Sequence, residues 1–281
     1  MSLRHVPILV LASLLLAAGA QAQTLERVRE SGTFKIGYRE DAAPFAYKDE
    51  LGEAVGYSVE LCRAVAVDVK QALGLAEIKL EYVPVTTEDR FQAVQDGRID
   101  ILCGATTQTL SRRELVDFSL FTFIDGAGVM LRADGPEDFE GLAGGKVGVR
   151  GATTTEEALR NTLTSLALDA EVVTVTSHQD GLAKLQAGEI QAYFADRAIL
   201  LFLLLESGAE DLRVSERQFT FEPYALALAR GDDDFRLLVD TTLSALYRSG
   251  AIDQIFTAAF GAKARQSEIL RALYVINGLP K

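Results

Sequence analysis

From residue 24 onward, short runs rich in β-branched and aromatic residues alternate with longer runs whose apolar positions recur every three or four residues. That alternation is the pattern of an α/β chain. It predicts a strand over 34–38, a helix over 57–73 ending at Gly74, a strand over 78–84, a helix over 88–96 closed by Gly97, and a strand over 99–103. The series then returns: strand 145–149, helix 155–166, strand 171–176, helix 178–187 stopped by Gly188, strand 190–195. Two pieces repeat closely enough to write side by side. Lys35-Ile-Gly-Tyr-Arg39 resembles Lys146-Val-Gly-Val-Arg150, and Phe91-Gln-Ala-Val-Gln-Asp-Gly-Arg-Ile99 resembles Leu182-Ala-Lys-Leu-Gln-Ala-Gly-Glu-Ile190. The expectation is two similar α/β lobes facing each other. Extended stretches at 118–132 and 219–230 flank the central section, and helices over 234–250 and 252–260 follow. If both stretches cross between lobes, residues 24–126 and 222–265 form one lobe and 127–221 the other, with 266–281 as an extension. Such a double crossover is a hinge, and small ligands bind in the cleft it opens and closes.

The start of the chain follows a different pattern. Arg4 supplies a positive charge, residues 6–18 are almost wholly apolar, and Ala20-Gln-Ala22 has the small-x-small form of a signal-peptidase site. An apolar run of about a dozen residues is shorter than the roughly 20 needed to span a bilayer. Residues 1–22 are therefore expected to be a cleaved signal peptide, which places the remainder in the periplasm. The 28 basic and 40 acidic residues give a net charge of −12. This argues against nucleic acid and anionic membrane surfaces as partners and suits a monomer free in solution. The run 198–205 reads as a buried helix.

Polar, glycine-adjacent helix starts are the main chemical feature, because a helix N-terminus offers free N–H groups and partial positive charge to an anion. Thr153-Thr-Thr-Glu156 and Thr154-Thr-Glu-Glu157 are both capping boxes, and Ser111-Arg-Arg-Glu114 after Gly104-Ala-Thr-Thr107 is a third. Three arginines fit a purely structural account poorly. Arg90 and Arg112 fall in first helical turns, where a cation opposes the dipole, and Arg39 follows a strand whose end should face the cleft. Singly each suits a solvated surface; together they suit a carboxylate, which guanidinium binds through paired hydrogen bonds. Asp196 ends a strand, either as an N-cap or as a partner for an ammonium group. His178, following the capping residue Ser177, has a structural or solvated role as its default.

No GxSxG, HExxH, P-loop or complete GxGxxG motif is present, so no catalytic constellation, metal or cofactor is expected. Cys62 and Cys103 lie 41 apart in a chain bound for an oxidising compartment, and sequence leaves open whether they are joined. Cys103 at a buried strand end is a poor candidate for a thiol–imidazole pair with His178.

These residues also resemble the periplasmic polar-amino-acid-binding proteins of ABC importers (bacterial extracellular solute-binding proteins, family 3), and within them the glutamate/aspartate-binding branch. The resemblance runs from residue 24 to about 261. It is carried by Gly37-Tyr-Arg-Glu-Asp-Ala-Ala-Pro-Phe45, Val55-Gly-Tyr-Ser-Val-Glu-Leu61, Cys103-Gly-Ala-Thr-Thr107 with Arg112, and Val116-Asp-Phe-Ser119. Gly151-Ala-Thr-Thr154, Ala187-Gly-Glu-Ile190 and Ser249-Gly-Ala-Ile252 follow in the same order. The resemblance implies a periplasmic binding protein type II fold that works with an inner-membrane permease. It implies that Arg112, aided by Thr107 and Thr154, takes a ligand α-carboxylate and that Asp196 takes the α-ammonium. Arg39, Arg90, Thr87 and His178 stand where a side-chain carboxylate would be held. Ala105 departs from the pattern, since this position is commonly Ser and its hydroxyl would help bind the amino group.

Other readings remain open at this level. Within the class, the ligand would be glutamine, asparagine or several L-amino acids. Outside it, a periplasmic enzyme on the same scaffold, such as a cyclohexadienyl dehydratase, would need a general acid, and Glu40 or Asp41 would be the nearby candidates. A sensory ectodomain would need a membrane segment beyond the expected signal peptide.

Overall fold

The computed structural model describes residues 24–280; the expected signal peptide at residues 1–22 lies outside the described residues. The chain builds two five-stranded sheets. The first runs, in spatial order, Lys79–Pro84, Thr33–Tyr38, Ile101–Cys103, Glu222–Leu228 and Asp117–Asp125. The second runs Glu171–Val175, Lys146–Arg150, Ala192–Asp196, Ala127–Arg132 and Leu212–Val214. In each, the first three strands are parallel and the remaining ones join antiparallel. The repeat seen in the sequence is therefore a repeat of topology: the strand of Lys35-Ile-Gly-Tyr and the strand of Lys146-Val-Gly-Val are each flanked by the next two strands of their own lobe.

The parallel strands carry helices between them, as right-handed crossovers require. Helices Tyr57–Ala72, Arg90–Gln95, Asp233–Ser249 and Ile252–Phe260 serve the first lobe, and Thr154–Ser165, His178–Gln186 and Arg197–Ser207 the second. Helix Tyr57–Ala72 starts after Gly56, whose φ of 121° excludes most side chains and where an added Cβ would lie 2.5 Å from the Phe45 carbonyl oxygen. This close approach lets the first helical amides, Tyr57 and Ser58, donate to Pro44 and Phe45. Cys62 on this helix and Cys103 at the end of its strand are joined in a disulfide, Cα to Cα 6.4 Å, which resolves the alternative left open by sequence.

Beneath the cleft, Phe45, Tyr57, Phe123, Tyr224 and Phe260 form an aromatic cluster with centroid distances of 4.9–6.3 Å. Each edge-to-face or stacked pair adds about 0.5–1.5 kcal/mol beyond burial alone. The chain passes between sheets twice, at Gly126 and between Val214 and Glu222. The two passages are bonded to each other, Ala127 N–H donating to Thr220 Oγ1 at 2.8 Å and Phe219 N–H to the Ala127 carbonyl.

Several expectations need correction. Ser111 caps nothing, and Arg112–Glu114 is a single 3₁₀ turn leading straight into strand Asp117–Asp125. Helix Arg197–Ser207 is not wholly buried: Ile199, Leu200 and Leu203 face inward, but Leu205 is 78% exposed. Residues 266–281 contain helix Glu268–Asn277, docked on the first lobe by a hydrogen bond between the Tyr274 and Tyr57 hydroxyls and by Asn277 donating to the Phe121 carbonyl. The three short strands Asp41–Ala42, Ala46–Lys48 and Ala54–Val55 escape sequence reading, being too short to show a period.

Candidate functional site

The carboxyl ends of parallel strands are where an open α/β sheet binds ligands, and here six such ends meet. In the first lobe, Arg39 follows strand Thr33–Tyr38, Thr87 and Arg90 follow Lys79–Pro84, and Ala105 and Thr107 follow Ile101–Cys103. In the second, Arg150 ends its strand, His178 follows Glu171–Val175, and Asp196 ends Ala192–Asp196. The lobes touch here: Arg90 Nη2 donates to the Ala152 carbonyl at 3.2 Å, and the Thr107 and Thr154 hydroxyls lie 3.2 Å apart. All nine residues singled out from the sequence lie in this region.

The cationic half contains Arg39, Arg90, Arg112 and Arg150. Phe91 lies between two of them, with Arg90 4.8 Å and Arg112 5.3 Å from its ring centre, and cation–π contact holds both guanidinium groups in place. Arg90 is buried, its Nη1 donates to the Thr87 carbonyl, and its Nε has no partner. Burial, then the like charges of Arg112 and Arg39, pull its pKa well below the guanidinium norm. His178 Nε2 is likewise buried without a partner, and the buried Thr87 hydroxyl lies beside Glu88.

His178 Nδ1 lies 2.7 Å from Tyr193 Oη. Burial, reinforced by Arg39, lowers the His178 pKa to about 3, so the ring is neutral at neutral pH. When Nδ1 accepts from the tyrosine hydroxyl, Nε2 carries the hydrogen and can donate into the cleft. Ser177, not His178, caps the helix by accepting from Asp180 N–H.

Asp41, on which no binding role was placed, is the principal addition. Its Oδ1 accepts from Arg39 Nε and Nη2 at 3.0 and 2.7 Å, and its Oδ2 from Arg150 Nε at 3.2 Å. Burial alone would raise its pKa; the Arg39 and Arg150 guanidinium groups hold it below the usual carboxylate range. Arg39 thus has a resident counter-ion.

The second addition is Glu222, buried at the start of its strand. Its Oε2 accepts from Thr107 Oγ1 at 2.6 Å and from Thr154 Oγ1 at 3.0 Å, and its Oε1 from Thr220 Oγ1 at 2.9 Å. The two threonine hydroxyls expected on a ligand carboxylate are here spent on a carboxylate of the protein. Arg112 Nη1 donates to the Thr107 carbonyl at 2.8 Å, and Glu222 and Asp196 offset the burial that lowers the Arg112 pKa.

Asp196 does not cap the helix it precedes; its Oδ1 accepts from Thr155 Oγ1 at 3.3 Å. Burial, then the charges of Asp125 and Glu222, raise its pKa to about 8. Asp125, bonded to Ala198 N–H and near Arg197, is raised to about 6, again chiefly by burial. The buried Tyr224 hydroxyl lies against Asp196 and feels the same three acids. Burying several carboxylates together is costly unless a cation joins them.

Glycine loops and arginine spacing could have pointed to Arg150, since it is the counterpart of Arg39 in the repeated strand motif. The sequence marks Asp41 only as a possible general acid and Glu222 not at all: each has one partner two residues away, Arg39 and Thr220, but their contacts across the cleft come from Arg150, Thr107 and Thr154, 68 to 115 residues away.

A hinged, two-lobed α/β molecule with cations and buried carboxylates converging between its lobes belongs to the binding proteins that close around a small solute. Residues 34–262 match the bacterial extracellular solute-binding proteins, family 3, and the chain belongs to that family. It is similar to the L-glutamate/L-aspartate-binding protein of Pseudomonas aeruginosa, 31% identical over 84% of this chain and 80% of that one. It is also similar to the glutamate/aspartate import solute-binding protein of Escherichia coli K12, 27% identical over 87% and 82%. Among solved structures, an ancestral amino acid-binding protein that is a precursor of cyclohexadienyl dehydratase superimposes with a TM-score of 0.74 at 26% identity, covering 85% of this chain and all of that one.

Proposed function

We propose that the protein is the periplasmic binding component of an amino-acid ABC importer and captures glutamate or aspartate between its lobes. In this reading residues 24–126 and 222–265 form one lobe, 127–221 the other, and the closed form engages an inner-membrane permease. The observation that carries the acidic ligand is the pair of buried, unpartnered nitrogens Arg90 Nε and His178 Nε2, close to Arg39 and Arg112. A side-chain carboxylate would satisfy them, as buried polar groups require. The α-ammonium would meet Asp196 and the α-carboxylate Arg112, while Ala105 contributes only backbone.

The ionisation of Asp41 bears on the enzymatic alternative. A general acid must hold a proton, and Asp41 is kept ionised by two guanidinium groups. Glu40 is paired with Lys48 at 3.3 Å and its side chain is 44% exposed, so it is not enclosed in the cleft.

A thermal-shift panel with the common amino acids tests the reading, followed by calorimetry because the chain has no tryptophan. A ligand with Kd near ~1 μM at about 1 mM adds roughly 4 kcal/mol, a rise of roughly 8–16 °C. Glutamate or aspartate should produce it and their amides should not. Shifts with neutral amino acids alone would overturn the acidic assignment; turnover of prephenate or arogenate would overturn the transport reading.

A further inference from the structure

We propose that Asp41 and Arg150 are a latch between the lobes: positioning residues that favour the closed form without touching the ligand. The proposal concerns closure itself, and only its affinity arm rests on the amino-acid reading above.

The geometry is specific. Asp41 belongs to the first lobe, on the short strand that follows Arg39; Arg150 ends a strand of the second. The Asp41 carboxylate uses one oxygen for each lobe, Oδ1 for Arg39 and Oδ2 for Arg150. Arg150 Nη1 reaches a second first-lobe carboxylate, Glu88 Oε1, at 3.6 Å. One guanidinium of the second lobe is thus paired with two acids of the first. The side chains of Arg39, Asp41 and Arg150 are 5%, 17% and 11% exposed, so these ion pairs are far less screened than those at a surface.

Opening the hinge separates Arg150 from Asp41 and Glu88 but leaves Arg39 with Asp41, since that pair lies within one lobe. The Asp41–Arg150 contact is therefore made only on closing, and what forms only in one state shifts the balance towards it. The arrangement also explains why two arginines can face each other across the cleft. Without Asp41, Arg39 and Arg150 would repel across the closing gap, and Arg90, which feels both, would add to the repulsion.

Three variants make the test: Arg150→Gln, Asp41→Asn and the double substitution, with Arg150→Lys as the conservative control. Calorimetry would use glutamate and the uncharged-side-chain ligand glutamine, and small-angle scattering would follow the ligand-free protein. Arg150→Gln should weaken both ligands by about 2- to 160-fold, the span of coupling between contacting charges, and enlarge the ligand-free radius of gyration. Arg150→Lys should recover part of both effects. Asp41→Asn should open the protein further than Arg150→Gln, and the double variant should be no more open than Asp41→Asn, because removing Arg150 also removes the repulsion. A loss confined to glutamate would mean that Arg150 binds the ligand's side chain and would overturn the latch. So would an unchanged radius of gyration in Arg150→Gln, or tighter glutamine binding by Asp41→Asn. If no amino acid binds even the unaltered chain, the ligand reading fails while scattering still decides the latch.

Discussion

Arg39 and Arg150 share one carboxylate: Asp41 receives Arg39 on Oδ1 and Arg150 on Oδ2. They occupy corresponding places in the two lobes, one just beyond and one at the end of the repeated strand motif. Sequence reading treated Arg39 as a ligand contact. The geometry makes it half of an internal ion pair and leaves Arg90 as the buried cation with a donor still to satisfy.

Arg90→Ala should therefore lower glutamate affinity by about 100-fold or more, the cost of losing a charge-assisted pair in a buried site. Glutamine affinity should fall by less than about tenfold. Calorimetry on both ligands checks the difference; equal losses would remove Arg90 from side-chain recognition.

Asp196 predicts proton-linked binding. Its pKa stands at about 8 in the ligand-free fold against 3.8 for the free group, raised by burial and by Asp125 and Glu222. Between those values the folded protein holds a proton that the unfolded chain has lost, so ligand-free stability should fall as pH rises through this window. An ammonium ligand needs the ionised form. Its affinity should rise with pH up to about 8, by at most about tenfold per unit, with proton release on binding. Calorimetry in buffers of different ionisation enthalpy measures that proton; an Asp196→Asn protein should bind weakly and release none.

The disulfide between Cys62 and Cys103 closes a 41-residue separation and ties helix Tyr57–Ala72 to the strand that precedes Gly104, Ala105 and Thr107. Replacing both cysteines by Ala should cost roughly 2–4 kcal/mol of stability. Thermal unfolding with and without reductant should show the loss in the unaltered protein and no reductant effect in the variant.

Gly126 sits where the two passages between lobes lie against each other. A Cβ there would come within 2.2 Å of the Thr220 carbonyl oxygen and 2.0 Å of Gln218 Nε2. Gly126→Ala should destabilise the protein by about 1–3 kcal/mol through overpacking. It should also disturb the bond from Ala127 N–H to Thr220, and a melting temperature within 1 °C of the unaltered chain would contradict this.

The division between what sequence and structure reveal follows the range of the forces involved. Alternating β-rich and amphipathic runs, glycine stops and the repeated Lys-Ile-Gly-Tyr-Arg and Lys-Val-Gly-Val-Arg pieces report local periodicity and backbone freedom, so the α/β class and the parallel strands could be read directly. So could the capping of helix Thr154–Ser165 by Thr153, whose hydroxyl accepts from Glu156 N–H. Helix ends also marked Arg90, His178 and Asp196, because the chain must place such residues beside the cleft. The three short strands between Asp41 and Val55 exist only through cross-strand pairing, and the expected cap at Ser111 gave way to the strand that follows it. Whether Cys62 meets Cys103, whether Thr107 and Thr154 face a ligand or Glu222, and whether Asp41 also meets Arg150 all depend on distances between residues 41 to 115 apart in the chain. Charge and hydrogen-bond demand were written in the residue types; which group satisfies which was decided only when folding brought the two lobes together.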